Sequence, residues 1–191
     1  CPTTGKDVVV PLDAIIGGQA GIGKGWEMLM ACLAAGRGIS LPATATGGAA
    51  LAARVIGDYV AIRQQFGIPI GKLEGLHEPI GTIGGFAWLL EAARRYTCAG
   101  IDRGVKPPVV TAIAKYHFTE IFRKVINHAM DVQGGGAISL GPRNLLGNMY
   151  AGTPIIITVE GANIMTRTLI HFGQGLFRCH PYAFRLVAAI A

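Results

Sequence analysis

The sequence predicts an all-α fold, an antiparallel helix bundle with a short β-strand stub at its N-terminal end. Three observations predict it. Long helix-length stretches, the first of them from Trp26 and rich in Ala, Leu and Met, occupy most of the 191 residues. Within them apolar residues recur every three or four positions, the period of an amphipathic helix. The interruptions are short clusters of Gly and Pro, which punctuate helices. With 51% hydrophobic and 15% charged residues, the chain has enough apolar material for one sizeable core.

Residues 1–23 are Gly-rich and hold a β-branched run, Val8 to Val10. They read as the end of a strand followed by the loop "IIGGQAGIGKG". From Trp26 the character changes, and one long helix kinked near Pro42, or two abutting helices, is expected until Gly67 and Pro69. A second helix is expected from about Glu78 to Ile101, with Ile83, Phe86, Leu90 and Ala93 on one face. Pro107 and Pro108 open a third, since proline suits a first helical turn. Its apolar stripe is Val110, Ala114, Phe118, Ile121, Val125 and Ala129; Lys115, Thr119, Arg123, Lys124 and Asn127 occupy the other side. "QGGGAISLGPRN" breaks this helix. A short helical or irregular piece near Leu145 to Tyr150 then leads into an apolar run ending at Val159. A last helix spans about Ala162 to Phe172.

The net charge is +6, but the basic residues form no run longer than two, so nucleic-acid binding is not expected. Cys1, Cys32, Cys98 and Cys179 show no paired spacing, and the five histidines no metalloprotease spacing. Reduced thiols and no metal site are expected. No uninterrupted run of about 18 apolar residues occurs, so no spanning helix is expected. The chain begins at Cys1 in mid-pattern and reads as a piece of a longer polypeptide.

Three motifs carry chemistry. The first is "TPIIITVEGANIMTR", residues 153–167, which holds the one acidic residue after Asp131, Glu160. Flanked by Ile155, Ile156, Ile157, Val159, Ile164 and Met165, this carboxylate should lose hydration, which suits a general base. Gly161 lets the backbone turn sharply or approach a ligand. The plain alternative is an acidic residue in a first helical turn, favoured by the helix dipole. The second motif is "RQQFGIPI". Arg63 is either a helix-terminal cation or a phosphate contact, and Phe66 would then pack beside it while Gly67 ends the helix. The third is "DVQGGGAI", either a helix cap or a place where a ligand touches backbone.

A helix ending in R-x-x-F-G-x-x-I, a later helix ending in a double glycine, and E-G opening the final helix, in this order, resemble the C-terminal helical domain of acyl-CoA dehydrogenases. "VPLDAIIGGQAGIGKGWEMLMACLAAGR" is similar to that family's passage from its middle β-domain into the bundle. "ITVEGANIMTRTLIHFGQGLFRCHPY" looks most like the large bacterial fatty-acid β-oxidation members. The resemblance covers about residues 8–182. It implies residues 1–23 as the tail of the β-domain with its linker, and residues 24–191 as the bundle.

It also implies roles. Glu160 matches the base that removes the α-proton of an acyl-CoA thioester while the β-hydrogen leaves as hydride to FAD. Some relatives carry the base on the first helix, before an arginine; here that arginine matches Arg37, preceded by Gly36, which cannot act. Arg37 either orients the site or is structural, and Gly161 borders the substrate. Arg63 and Phe66 match residues at the pyrophosphate and adenosine end of FAD, usually that of a neighbouring subunit. Gly134 and Gly135 match the double glycine that meets the same cofactor, and Gln133 is counted with them. Two positions depart from the family: Asp131 stands where Gln is frequent, and Ala162 where a flavin-contacting Thr is frequent.

The resemblance implies a fatty acyl-CoA substrate, an electron-transfer flavoprotein as acceptor, a homo-oligomer (dimer or tetramer) and a cytoplasmic location, with membrane association of the full-length protein as a variant. The competing readings are a non-catalytic bundle for oligomerisation or binding, and a flavin-dependent acyl-CoA oxidase.

Overall fold

The computed structural model describes residues 2–105, 108–175 and 180–190, so the thiols of Cys1 and Cys179 lie outside the described residues. The chain divides into two compact units, Cys1–Leu33 and Ala34–Ala191.

In the first unit, 3-10 turns at Leu12–Ala14 and Gly18–Gly21 lead to the start of helix α1 (Gly25–Ile62). Gly17 sits at φ 79°, and the Met28 methyl lies 3.0 Å from where a Cβ on it would stand, so both its backbone and its bareness are used. The expected N-terminal strand is not there. Val8, Val9 and Val10 are 68%, 96% and 60% exposed, and no described segment pairs with them. A β-branched run becomes a strand only with a hydrogen-bonded neighbour.

In the second unit α1 runs on through Pro42 without a break. Thr46 Oγ1 donates to the Pro42 carbonyl at 2.8 Å, and Ala45, Ala49, Ala52 and Ile56 are buried in a stripe that holds the helix against its neighbours. The small residues let α1 lie close to helix α3 (Pro108–Gln133). A Cβ on Gly48 would stand 2.5 Å from the Phe122 ring, and one on Gly38 would overlap Thr111. By length and composition α1 could also cross a membrane, although Gly and Arg interrupt it; a third of its most apolar stretch is buried inside the protein.

The helix ends at Ile62, before the predicted stop, and a tight hairpin follows. Strands β1 (Gln64–Gln65) and β2 (Ile68–Pro69) pair antiparallel across Phe66 and Gly67, which have φ 54° and 78°. Two consecutive positive φ values are the signature of the turn that best matches strand twist. Gly67 therefore closes a hairpin rather than a helix.

Helix α2 (His77–Asp102) and α3 match their expected spans within a residue or two; Pro107 lies outside the described residues. Ile83 and Leu90 of α2 and Ala114, Phe118, Val125 and Ala129 of α3 join one core. After α3 come a short helix α4 (Gly135–Ile138), helix α5 (Gly147–Thr158), and α6 (Asn163–Met165), which continues as a π-helical stretch over Thr166–Gln174. Helix α7 (Ala183–Ile190) ends the described chain. The apolar run before Val159 is thus part of α5, with Ile156 and Ile157 buried. The second unit is an all-α bundle in which α3 is central, packed by α2, α5 and the π-helical stretch.

Central placement corrects one reading of α3. Lys115 and Thr119, assigned by periodicity to the polar side, are both fully buried. An amphipathic stripe marks one packed face, but a central helix is covered on two.

Candidate functional site

Glu160 lies in the turn between α5 and α6. Val159 caps α5, its N–H donating to the Ile155 carbonyl at 3.0 Å. The next two residues, Glu160 and Gly161, have φ 52° and 86°. Glycine adopts this region freely, but for a glutamate it costs about 1–2 kcal/mol, so the surroundings must hold it there.

What holds it is a buried lysine. Lys115 Nζ donates to the Ile157 carbonyl at 3.1 Å, to the Gly161 carbonyl at 2.9 Å and to Asn163 Oδ1 at 2.7 Å. Asn163 in turn donates from Nδ2 to Thr119 Oγ1 at 2.9 Å and to Glu120 Oε1 at 2.8 Å. Thr166 Oγ1 donates to the Gly161 carbonyl at 3.2 Å. The turn is therefore tied to α3 and to the helix that follows it. Burial pushes the Lys115 ammonium down to about 8; Glu160 opposes this, Arg37 reinforces it and Glu120 opposes it.

On the other side of the carboxylate is α1. A Cβ on Gly36 would stand 3.6 Å from Glu160 Oε2 and 3.7 Å from Oε1, so the carboxylate faces bare backbone there. Arg37 is buried, and its Nη1 lies 3.3 Å from where a Cβ on Gly161 would be. Burial lowers the Arg37 guanidinium from its ordinary range and the charge of Glu160 partly restores it. Glu160 Oε2 and Arg37 Nε are buried with no hydrogen-bond partner among the described residues.

The structure thus brings Glu160, Gly161 and Arg37 together, with Gly36 facing the carboxylate. The aliphatic surroundings differ from expectation. Ile156 and Ile157 are buried, but Ile155, Val159, Ile164 and Met165 are exposed. The carboxylate is partly removed from water by helix packing around two buried cations, not by its sequence neighbours. The sequence reading puts Lys115 and Thr119 on the polar side of α3 and gives Asn163 and Thr166 no role. The signal for the first two was Thr111, Lys115 and Thr119 spaced by four, a second buried stripe on α3.

The other nominated residues form a separate cleft. Arg63, Gln133, Gly134 and Gly135 line a cavity of about 480 Å³, together with Tyr59, Asp131 and others. Tyr59 Oη donates to the Gln133 carbonyl at 3.1 Å, tying α1 to the end of α3. Gly134, at φ 63°, stops α3, and a Cβ on it or on Gly135 would meet nothing within 4 Å. Gln133 Oε1 is buried with no partner among the described residues. Phe66 does not join this cleft. It stands 89% exposed on the hairpin tip instead of packing beside Arg63.

Along α3, Lys115 and Gln133 are 18 residues apart, roughly 27 Å at 1.5 Å per residue. The two sets of residues therefore sit near opposite ends of the central helix.

Comparison with known proteins fits this arrangement. Residues 23–173 match the model of the acyl-CoA dehydrogenase C-terminal domain. The Proteus mirabilis protein HemX is 57% identical over 56 residues, covering 29% of this chain and 33% of that protein. The probable acyl-CoA dehydrogenase FadE10 of Mycobacterium tuberculosis is 31% identical over 129 residues, covering 67% of this chain and 19% of FadE10. Butyryl-CoA dehydrogenase from Megasphaera elsdenii superposes with a TM-score of 0.69 at 26% identity, over 80% of this chain and 39% of that one. The chain thus spans between about a fifth and two fifths of the length of these relatives. By the match over residues 23–173 and by its bundle, the chain belongs to the acyl-CoA dehydrogenase family, as a C-terminal helical domain of that family.

Proposed function

We propose that this domain is part of an FAD-dependent dehydrogenase of acyl-CoA thioesters, and that Glu160 removes the α-proton. One observation carries the reading: a carboxylate held at φ 52° with a buried oxygen that no described group satisfies. Leaving such an acceptor unpaired costs about 1–3 kcal/mol. That cost makes sense where an incoming C–H is to be the partner. The proton goes to a Glu160 oxygen, the group of this turn placed to act as general base.

FAD, when bound, supplies the acceptor that takes the β-hydrogen as hydride, leaving a trans-2-enoyl thioester. The cleft at the far end of α3 fits one end of that cofactor. Arg63 offers a guanidinium for phosphate oxygens, Gln133 an unpaired buried amide oxygen, and Gly134 and Gly135 open backbone. Asp131, also in the lining, sets an anion against this and narrows where a pyrophosphate could lie. Its separation from Glu160 supports the family pattern in which this cleft serves the FAD of a second copy in a homo-oligomer. Exposed Phe66 would cover that cofactor from the hairpin tip. We assign the substrate to fatty acyl-CoA in β-oxidation, with an electron-transfer flavoprotein as acceptor and a cytoplasmic, or in the full-length protein membrane-associated, location.

The test is anaerobic mixing of a fatty acyl-CoA with the intact flavoprotein that contains these residues, following the visible flavin absorbance. Bleaching in the wild type and none in Glu160→Gln is expected. Equal bleaching in both moves the base elsewhere, and none in the wild type removes the dehydrogenase reading.

A further inference from the structure

We propose that Lys115 is the positioning residue of this site, clamping the turn that carries Glu160 so that its carboxylate points at the substrate. The inference rests on the reading of Glu160 as the base.

An ammonium has three donors, and all three of those of Lys115 are committed to one short segment, residues 157–163. Ile157 and Gly161 bracket Glu160, so the clamp fixes both shoulders of the turn. The third donor reaches Asn163, whose amide is itself held by Thr119 and Glu120 of α3. Glu160 and Gly161 both need positive φ, a conformation that relaxes if either shoulder is freed. Lys115 makes no direct bond with the carboxylate, so it acts through the backbone.

A purely structural role explains this poorly. Lys115 is fully buried, and a long apolar side chain would fill the space without desolvating a charge. A buried ammonium with every donor on the segment that carries the proposed base is a device for aim. A misplacement of about 1 Å at a reacting group lowers the rate on the order of 100-fold.

The experiment uses the intact FAD-loaded protein. Lys115→Met is expected to keep its FAD content and its KM for acyl-CoA within about threefold, to lose about 100-fold in kcat, and to show a larger isotope effect with α-deuterated substrate because proton removal becomes limiting. Lys115→Arg, which keeps charge and donors in a bulkier frame, is expected to recover part of the rate. Unchanged kcat and isotope effect in Lys115→Met overturn the proposal. If Lys115→Met does not fold, Asn163→Leu decides. It leaves Lys115 in place but removes one acceptor and the tie to α3; a roughly tenfold loss in kcat with an enlarged isotope effect supports the clamp, and none overturns it. Glu160→Gln is run beside them. A normal rate in that variant defeats the assignment of the base, whereas an inactive Glu160→Gln with an unaffected Lys115→Met defeats only the clamp.

Discussion

Replacing Gly161 by alanine tests the geometry of the turn directly. At φ 86° an alanine is strained by about 1–2 kcal/mol whatever the space around it. Here the space is also short, because its Cβ would stand 3.3 Å from both Arg37 Nη1 and Thr166 Oγ1. Relief requires the backbone to shift by a few tenths of an ångström. That shift lengthens the bonds from Lys115 (2.9 Å) and Thr166 (3.2 Å) to the Gly161 carbonyl. A bond from a charged donor is worth about 1.5–3 kcal/mol, so partial loss adds about 1 kcal/mol. The sum is a destabilisation of about 2–3 kcal/mol. For a chain of this length that lowers Tm by about 4–12 °C. Gly57→Ala is the control, because it lies in α1 with nothing within 4 Å of the added Cβ. It should be neutral or stabilising by up to about 1 kcal/mol. The assay is thermal unfolding followed by circular dichroism on both variants and the wild type. If Gly161→Ala melts with the wild type, the turn does not need its left-handed pair and the account of how Glu160 is held is wrong.

Two further outcomes follow from the structure. Gly48→Ala puts a methyl 2.5 Å from the Phe122 ring, so α1 and α3 must move apart; a loss of about 1–3 kcal/mol in denaturant unfolding is expected, and a stable variant would show that the contact is slack. Lys115, with its ammonium lowered to about 8 from 10.5, makes activity and stability diverge with pH. The unfolded chain holds a proton between those values that the folded chain sheds, so the lysine's favourable contribution is complete above about 10.5 and gone below about 8. Relative to Lys115→Met, wild-type stability should therefore rise across that window, by at most about 3 kcal/mol, while kcat falls because a neutral amine has lost one of the three donors. Glu160 and Glu120 hold the proton on and Arg37 pushes it off, so shifting the midpoint by Glu120→Gln checks the assignment. Flat relative stability between pH 8 and 10.5 would refute it.

The parts of the fold legible in the sequence are those where a single residue type forces an answer. Pro108 starts α3 and Gly134 stops it, and the stripes of Ile83 with Leu90 and of Ala114, Phe118 and Val125 all reach the core. Motif order points to Glu160, Arg63 and the double glycine, the family resemblance adds Arg37, Gln133 is counted beside the glycines, and the structure groups them into two places. The hairpin at 64–69 was hidden because Phe66, not an Asn or Gly, takes the first positive φ. Lys115 was hidden for a different reason. Periodicity counts faces from one helix alone, and a lysine covered by a later segment looks the same as one in water. The strand expected at Val8 to Val10 failed because strand formation depends on a partner that local composition does not reveal.

The unmet hydrogen-bonding groups connect these observations. Among the described residues, three buried side-chain atoms have no partner: Arg37 Nε, Gln133 Oε1 and Glu160 Oε2. Each such group costs about 1–3 kcal/mol, a burden that a marginally stable domain does not carry at random. All three belong to residues to which the sequence motifs and the family resemblance point. Two lie together around the Glu160 turn and the third lies in the cleft roughly 27 Å away along α3. Near the first, Lys115, Asn163 and Thr166 all have hydrogen-bond partners, so the bundle satisfies the groups that support the turn and leaves Arg37 Nε and Glu160 Oε2 without one among the described residues. The same division holds at the cleft, where the Gln133 carbonyl is bonded by Tyr59 while its side-chain oxygen is not. Core packing alone would favour pairing all of these atoms or replacing them by apolar ones. A pattern of satisfied supports and unsatisfied tips is what the proposed function, with substrate near one end of the helix and cofactor near the other, requires.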